Sequence, residues 1–471
     1  MKQLTSKART PRSTPASGST HLPENWDLVK QFDRTLRRHV SEVRDYTLAF
    51  HNRWTQNGVT TMRGAGWAVR PLLLPATRLN FIASAFHSAL VSLRRSISAA
   101  ASRRDLFGVL PFQPNFEDII DVVAGLSSPA FQSHFRPDGF FFEDRFVLSE
   151  INYGNGIMVS CAYTEAVADY WLGHPVIKRL GWDVQRLHRR PLMGLIDVAR
   201  RFARPAPQAT VAFFSHSEEW KSVGQLPKRV MDLFHFARME FEKAGLLVRF
   251  VTEDEITPSP DNSLRFATDG TRVDLLMFVT VGTTFMDCPD LLSPGTRLSE
   301  FARARIGDVW VLKPLAGLLV DKGALPLLRT LDLPRPMADG FRFVVPPTEF
   351  LHAQKPERYL HRGDWVIKRA FDGKDTHIGL DRTVNRWRAL VDTAVTDHTY
   401  VAQRYVSLPR TVVPVFVDER HLEWLPSRVE LSPFVYEGRF GGAGARHAPD
   451  AEGVVMTDFP PGYGYSTVFS V

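Results

Sequence analysis

Cysteine is scarce in this 471-residue chain, which contains Cys161 and Cys288 and no others. Two thiols are too few for a disulfide framework or a structural zinc site. The sequence therefore excludes a small disulfide-rich domain and a small zinc-stabilised domain. The sequence also lacks an apolar run near the roughly 18 residues that a membrane span requires. With 44% hydrophobic and 23% charged residues, it is typical of a globular protein, and we expect a cytoplasmic one without a membrane partner.

Acidic residues are missing from the first 22 positions, which carry Lys2, Lys7, Arg9 and Arg12 among Ser, Thr and Pro. Such a segment has too little apolar surface to fold, and it lacks the apolar stretch of a secretory signal. We therefore predict a disordered basic tail over residues 1–22. The rest of the net charge of +7 is spread along the chain. Without a concentrated basic stripe, it does not predict a nucleic-acid partner.

No G-x-G-x-x-G motif follows the buried strand predicted at 210–214, which argues against a dinucleotide-binding dehydrogenase. A helix is predicted over 228–243, and further strands are predicted over 247–251 and 273–279. Strands and helices that alternate with short connections are typical of a parallel sheet covered by helices. A small α/β domain is therefore expected over 205–305.

The most informative segment brings Arg136 and Asp138 close in sequence to Glu150 and Asn152. A buried strand is predicted over 146–151, and the alternation of its side chains places Glu150 and Asn152 on one face. A carboxylate and an amide oxygen at that spacing suit Mg²⁺, which prefers oxygen ligands and keeps several waters. Arg136 offers a planar fork for a carboxylate or a phosphate. The same residues also fit the solvated end of an ordinary strand.

This arrangement resembles the Mg²⁺ and substrate segment of circularly permuted ATP-grasp ligases, chiefly the glutathionylspermidine synthase-like group and more distantly the eukaryotic glutathione synthases. The resemblance implies an α/β (α+β) fold with ATP-grasp architecture, a permuted segment order and a small Rossmann-like domain before the ATP-binding core. It also implies that Glu150 and Asn152 hold Mg²⁺ and that Arg136 contacts the acid substrate or the transferred phosphate. Asp138 is then a candidate base or ammonium-binding residue.

Lys313 and Lys368, each at the end of a short apolar strand, match the phosphate-binding lysines of such ligases. Compact ammonium groups bind phosphates as point charges. The resemblance implies that the loop over 369–379 folds over the nucleotide. This loop contains two glycines, Gly373 and Gly379, whereas the family's loop is usually richer in glycine. Taken singly, a lysine at a strand end is more often a solvated edge residue.

A strand predicted over 399–406 occupies the position of the adenine-binding hinge in the same family. Gln403 and the backbone around Tyr405 and Val406 match that hinge. Seen without the neighbouring motifs, the segment reads equally well as a half-buried strand.

A glycine-rich stretch near the C-terminus is predicted to be a loop that contacts an anion. Gly441, Gly442 and Gly444 would let backbone N–H groups approach a phosphate closely, and Arg446 would clamp it or the acid substrate. The alternative is an ordinary surface loop.

We therefore predict an ATP-dependent carboxylate–amine ligase that uses ATP and Mg²⁺, forms an amide through an acylphosphate and releases ADP and phosphate. The expected partners are a small acid and a small amine, with an amino acid or small peptide as the family's usual substrate. The expected divisions are a helical region with the metal-binding strand over 23–204, the α/β domain over 205–305 and the nucleotide-binding region over 306–471. A kinase, a ligase with a thiol or carrier-protein acceptor, and a nucleotide-binding module without turnover remain alternatives. The oligomeric state cannot be read from the sequence.

Overall fold

The computed structural model describes residues 21–56, 67–99, 129, 133–152, 157–215, 228–279, 305–312, 322–351, 355–370, 376–397, 399–417, 420–449 and 464–471. Residues 1–20 of the tail expected over 1–22 lie outside the described residues. Lys313 and Gly373 also lie outside them. The last residue of the 1–22 segment, Leu22, is described and is fully buried.

The described helices and strands are numbered in chain order. The helices are α1 (Trp26–Arg38), α2 (Val40–Gln56), α3 (Ala76–Ala99), α4 (Ile157–Ala166), α5 (Ala168–Gly173), α6 (Pro175–Leu180), α7 (Val184–Leu187), α8 (Pro191–Phe202), α9 (Lys228–Lys243), α10 (Leu325–Leu328) and α11 (Val384–Asp397). The strands are β1 (Trp67–Ala68), β2 (Leu72–Leu74), β3 (His134–Phe141), β4 (Arg145–Asn152), β5 (Ala209–Phe214), β6 (Leu246–Val251), β7 (Ile256–Pro258), β8 (Leu264–Phe266), β9 (Arg272–Val273), β10 (Leu275–Phe278), β11 (Arg305–Ile306), β12 (Val309–Leu312), β13 (Arg342–Val344), β14 (Thr348–Phe350), β15 (Trp365–Arg369), β16 (Thr376–Ile378), β17 (Tyr400–Arg404), β18 (Arg410–Phe416), β19 (Leu422–Tyr436), β20 (Arg439–Pro449) and β21 (Gly464–Ser470).

A nine-stranded sheet at the centre of the molecule is assembled from distant parts of the chain. Its main path runs β13-β4-β3-β19-β20-β21-β2, and β18 and β1 join it through β19. Side chains alternate between the two faces of such a sheet. Leu431, Val435 and Ala445 on one face belong to the same buried cluster as Ile82 and Phe86 of α3. The opposite face carries the buried polar residues Glu430 and Ser432. Toward the end of β19, Phe434 and Tyr436 on that face pack in another apolar cluster with α4 and α8.

A second sheet has the order β11-β12-β10-β5-β6. Four of its strands are parallel, and β11 is an antiparallel edge. Strand β5 is buried along its whole length, as expected where helices cover both faces of a parallel sheet. Together β5, α9 and β6 form the predicted strand–helix–strand unit. The sheet takes in residues 305–312, so it extends past the boundary expected near residue 305.

A third sheet, of four antiparallel strands, has the order β14-β17-β15-β16. One of its faces packs on α11, where Ile367 and Ala402 lie in one cluster with Trp387 and Val391. Since neighbouring residues of a strand point to opposite faces, Lys368 and Gln403 project from the other face, toward the nine-stranded sheet.

Helices α1, α2, α5 and α6 form a separate buried cluster with the end of β21, in which Phe32 and Trp171 are central. Strands β7, β8 and β9 form a small antiparallel sheet. None of the described helices is long and apolar enough to cross a membrane.

Candidate active site

A β-bulge at Ser149 organises the residues that the sequence marks as functional. Asp138 of β3 lies opposite Glu150 of β4, whereas the next residue, Gly139, lies opposite Leu148. Ser149 is therefore the extra residue on β4. A bulge interrupts the regular ladder at the extra residue and re-aims its neighbours, so the backbone of Ser149 can bond to groups outside the sheet.

Ser149 connects the nine-stranded sheet to the four-stranded sheet. Its carbonyl accepts hydrogen bonds from Lys368 Nζ at 2.8 Å and from Gln403 Nε2 at 3.3 Å. Its hydroxyl lies 2.9 Å from the carbonyl oxygen of Asp138 and 3.2 Å from Glu430 Oε1. All five residues are buried. The bulge thus holds Lys368 in a fixed position at the junction of the two sheets.

Arg136 and Arg446 share the carboxylate of Asp138, which is fully buried. Arg136 donates from Nε and Nη2 to the two oxygens of Asp138, both at 2.9 Å. Arg446 Nη2 lies 2.8 Å from Asp138 Oδ2 and 2.9 Å from Glu430 Oε2. Bidentate pairing of this kind fixes the plane of a guanidinium group. Asp138 therefore holds two arginines in position. These contacts fit such a positioning role better than the role of a catalytic base.

Glu150 lies next to several cationic side chains. Lys322 Nζ is 3.8 Å from Glu150 Oε2. Burial raises the pKa of Glu150. The positive charges of Lys322, Lys368 and the two arginines outweigh that effect and lower the pKa to about 2. Since a value near 2 lies far below neutral pH, Glu150 is ionised under ordinary conditions.

Glu430 is the opposite case within the same cluster. Burial raises the pKa of its carboxyl group, and the neighbouring charges of Asp138 and Glu150 raise it further, while Arg446 acts against them. Two carboxyl groups on one face of the sheet thus have pKa values displaced in opposite directions. Displacements of this kind are common at functional sites.

The two predicted metal ligands are neighbours at the end of β4. Asn152 Nδ2 donates to Glu150 Oε1 at 3.2 Å. An ionised carboxylate and an amide oxygen form a hard donor set, and Mg²⁺ commonly binds one or two such protein groups together with phosphates and water. The residues present therefore fit this ion. Among the described residues, no group of three or more His, Cys, Asp or Glu side chains forms a denser metal cluster.

A cleft of about 630 Å³ lies between the two sheets beside this cluster. Charged and apolar side chains both line the cleft. Glu150, Lys368, Glu430 and Arg446 form its charged end, Phe140, Val366, Ile378, Val406 and Leu408 form a mainly apolar end, and Arg404 also lines it.

The predicted hinge residues Gln403, Tyr405 and Val406 all line this cleft. The amide of Gln403 donates to the bulge carbonyl and lies 3.3 Å from Thr348 Oγ1. The backbone N–H of Tyr405 donates to the Asp364 carbonyl at 2.8 Å. Gln403 therefore braces the wall of the cleft.

The stretch expected to be a glycine-rich loop is instead part of strand β20. Gly441, Gly442 and Gly444 lie in this strand, which pairs with β19 and β21. Packing explains the first glycine, because a Cβ on Gly441 would lie 2.2 Å from the Tyr436 ring. Glycine usually marks a turn, so the sequence pattern favoured a loop. Arg446 nevertheless reaches the predicted site.

Lys322 and Glu430 are functional candidates that sequence reasoning missed. Lys322 has a relative exposure of 1%, and the apolar residues after it in the sequence are the only signal of its burial. Glu430 lies directly opposite Arg446 on the neighbouring strand, a pairing that appears only once the register is known. Lys313 lies outside the described residues, and the strand before it, β12, belongs to the parallel sheet.

No protein-family model and no curated protein matches the chain. Among solved structures, the chain is similar to a protein of Methylobacillus flagellatus KT that is provisionally named a gamma-glutamylcysteine synthetase. The identity is 11% and the TM-score 0.40, and the match covers 71% of this chain and 80% of that one. D-alanyl-alanine synthetase A from Vibrio cholerae O1 biovar eltor str. N16961 matches at 13% identity and a TM-score of 0.29, over 48% and 68%. The ATP-grasp ligase PsnB, complexed with a minimal precursor, matches at 14% and 0.29, over 56% and 90%. Superpositions this partial assign neither family nor activity.

Gly139 has no room for a side chain beside the bulge. A Cβ there would lie 2.4 Å from the Val147 carbonyl oxygen and 2.6 Å from the Phe146 ring. We predict that Gly139→Ala lowers the free energy of unfolding by about 1–3 kcal/mol, the usual cost of overpacking. Urea denaturation measures this change.

Gly363→Ala is the matched control, because its added Cβ would meet nothing closer than 3.6 Å. It should change the free energy of unfolding by no more than about 1 kcal/mol. Equal stability of Gly139→Ala and the parent protein would show that the bulge tolerates a side chain and contradict the close packing described here.

Proposed function

We propose that the cleft binds Mg²⁺-ATP and that the protein is an ATP-dependent carboxylate–amine ligase of the ATP-grasp type. One observation carries the proposal: Lys368 and Arg446 line a cleft between two sheets together with the ionised Glu150, and Lys322 Nζ lies 3.8 Å from the same carboxylate. Cations around a single carboxylate suit a polyphosphate with its divalent metal. The apolar end of the same cleft suits a nucleobase.

The two buried lysines would bind the phosphates. Lys322 and Lys368 have relative exposures of 1% and 5%. Burial of an ammonium group is costly unless opposite charge compensates it. Glu150 supplies such a charge, and phosphate oxygens would add to it. The nucleobase would then lie toward Val366 and Leu408, beside the chain at Tyr405.

Glu150 and Asn152 would hold Mg²⁺, which would offset the charge that develops on the transferring phosphoryl group. Arg136 and Arg446 would face the acid and the transferred phosphate. Because Asp138 holds both guanidinium groups, they need not reorganise during the reaction. Preorganised charge of this kind is the main protein contribution to such a step.

The reaction that fits this arrangement has two steps. The substrate carboxylate attacks the γ-phosphate of ATP, which gives an acylphosphate and ADP. An amine then attacks the acyl carbon, forms the amide and releases phosphate. A small acid and a small amine are the corresponding partners, and Arg136 and Arg446 would neutralise the anionic group throughout.

The reaction type can be tested by trapping. With Mg²⁺-ATP, hydroxylamine and a panel of small carboxylic acids, the protein should form a hydroxamate together with ADP and inorganic phosphate. The nucleotide products are separated by chromatography. Release of AMP and pyrophosphate would mean adenylation and would rule out the acylphosphate route.

Glu150→Gln tests the metal site. Removing its charge should lower turnover by at least about 100-fold, because a catalytic group that stabilises phosphoryl transfer is commonly worth that much or more. Cooperative unfolding should be retained. Glu143→Gln, in the turn of the same hairpin and 60% exposed at its side chain, is the matched control and should leave turnover nearly unchanged. Near-parental activity of Glu150→Gln would remove this carboxylate from the mechanism.

Lys322→Met and Lys368→Met test the phosphate site. Each should weaken ATP binding by about tenfold or more, roughly the loss of one charge-assisted contact, and change adenosine binding much less. Isothermal titration calorimetry measures both ligands, with Lys243→Met as an exposed control. Equal losses for ATP and adenosine would indicate general structural damage, and no loss for ATP would place its phosphates elsewhere.

A further inference from the structure

A second cavity of about 660 Å³ lies on the same face of the nine-stranded sheet as the nucleotide cleft. Helix α4 contributes one wall, and strands β19, β20 and β21 contribute another. Arg446 lines both the cavity and the cleft, and Arg136 lines the cavity. The two spaces therefore meet at the arginine pair that Asp138 holds.

We propose that this cavity binds the acid substrate, and that the acid is an apolar monoanion without an ammonium group. The proposal rests on the proposed function, since the acid must lie beside the phosphate that it receives. The expected substrates are therefore apolar carboxylic acids, including acyl-capped amino acids. Free amino acids are not expected to be substrates.

The carboxylate of the acid would lie at Arg136. This guanidinium group donates through Nη1 to Ser160 Oγ at 2.6 Å and through Nε and Nη2 to Asp138. Those bonds use three of its five N–H groups. A carboxylate at this end of the cavity would pair with the remaining donors and would stand next to Arg446, at the entrance to the nucleotide cleft.

Most of the remaining surface of the cavity is apolar. Val159, Val167, Leu233 and Phe434 line it together with the rings of Tyr163 and Tyr465, whose centroids are 5.1 Å apart. Hydrophobic and aromatic walls of this kind bind the apolar body of a small ligand.

Seven hydroxyl groups also line the cavity, and those of Ser160, Thr164, Ser466 and Thr467 form hydrogen bonds within the protein. Thr164 Oγ1 donates to the Ser160 carbonyl at 2.8 Å, and Thr467 Oγ1 accepts from Trp171 Nε1 at 2.8 Å. Ser160 Oγ accepts from Arg136. A hydroxyl group can donate one hydrogen bond and accept two, so these groups can still bond to the polar end of a ligand, but they carry no charge.

Charge decides which substrate the cavity accepts. Among the described residues that line it, the charged ones are Arg136 and Arg446, and none is a carboxylate. An ammonium group placed here would be desolvated with no carboxylate among the lining side chains to pair with it, which is unfavourable. A second carboxylate on the ligand would lie against the apolar walls. The amine substrate and free amino acids are therefore disfavoured, and an apolar monoanion is favoured.

Gly444 gives a way to fill this cavity without touching the nucleotide cleft. It lines the cavity but not the cleft, and an added Cβ would meet only Thr164 Oγ1, at 3.6 Å. Gly444→Leu would project a side chain into the space for the acid. Gly444→Ala would add one methyl group in ordinary contact and is the matched control.

The experiment measures acid binding by isothermal titration calorimetry in the presence of Mg²⁺ and a non-hydrolysable ATP analogue. The probes are 3-phenylpropanoate and octanoate, compared with phenylalanine and glutamate. At least one apolar acid should bind about tenfold or more tightly than either amino acid, since burial of one unpaired charge costs at least that much. Gly444→Leu should lower the affinity for that acid by about tenfold or more, because overfilling a site is unfavourable. The affinity for the ATP analogue should stay within about twofold of the parent value. Gly444→Ala should change both affinities by less than about threefold.

The possible failures are distinguishable. A parent protein that does not bind the ATP analogue contradicts the proposed function itself. A parent that binds the analogue but binds phenylalanine or glutamate as tightly as the apolar acids, or binds neither apolar acid, overturns the assignment of the acid and leaves the nucleotide site intact. Unchanged acid affinity in a folded Gly444→Leu places the acid elsewhere and also overturns it. Selectivity among the acids is measured on the parent protein, so it decides the matter even where a variant fails to fold.

Discussion

The extra residue Ser149 is the constraint on which the site depends. Its carbonyl is bonded by Lys368 and Gln403 of the four-stranded sheet, while its hydroxyl reaches the carbonyl of Asp138 and the carboxyl group of Glu430 on the nine-stranded sheet. Without the bulge, this backbone group would belong to the ladder between β3 and β4. The bonds to this one irregular residue thus fix a point of contact between the two sheets at the cleft.

The charges gathered around the bulge show what the cleft is suited to bind. Arg136, Arg446, Lys322 and Lys368 lie near Asp138, Glu150 and Glu430. Burial raises the pKa of Glu430, and the four cations outnumber the three carboxyl groups whichever form Glu430 takes. Buried charges need compensation, so an anionic ligand would complete the cluster. A triphosphate on one side of the arginine pair and a carboxylate on the other are the anions that this arrangement favours.

Local patterns in the sequence predicted the elements well but not the contacts between them. Apolar periodicity predicted the helix at Lys228–Lys243, and side-chain alternation predicted that Glu150 and Asn152 share a face of Arg145–Asn152. The structure brings Arg136, Arg446 and Lys368 to the same site as these two residues. The bulge could not be predicted, because an unpaired residue appears only when the register of two strands is known. For the same reason, Glu430 and the strand at Gly444 were not foreseen, since their partners are distant in sequence.

The central claim is that ATP binds between the four-stranded and nine-stranded sheets, with its phosphates at Glu150, Lys322 and Lys368. A crystal structure of the protein with Mg²⁺ and a non-hydrolysable ATP analogue tests it most directly. The claim predicts a nucleobase at the Val366 end of the cleft, phosphates within about 3 Å of the two lysine ammonium groups and an ion bound by Glu150. A nucleotide bound at the parallel sheet or elsewhere, with this cleft empty, would contradict it.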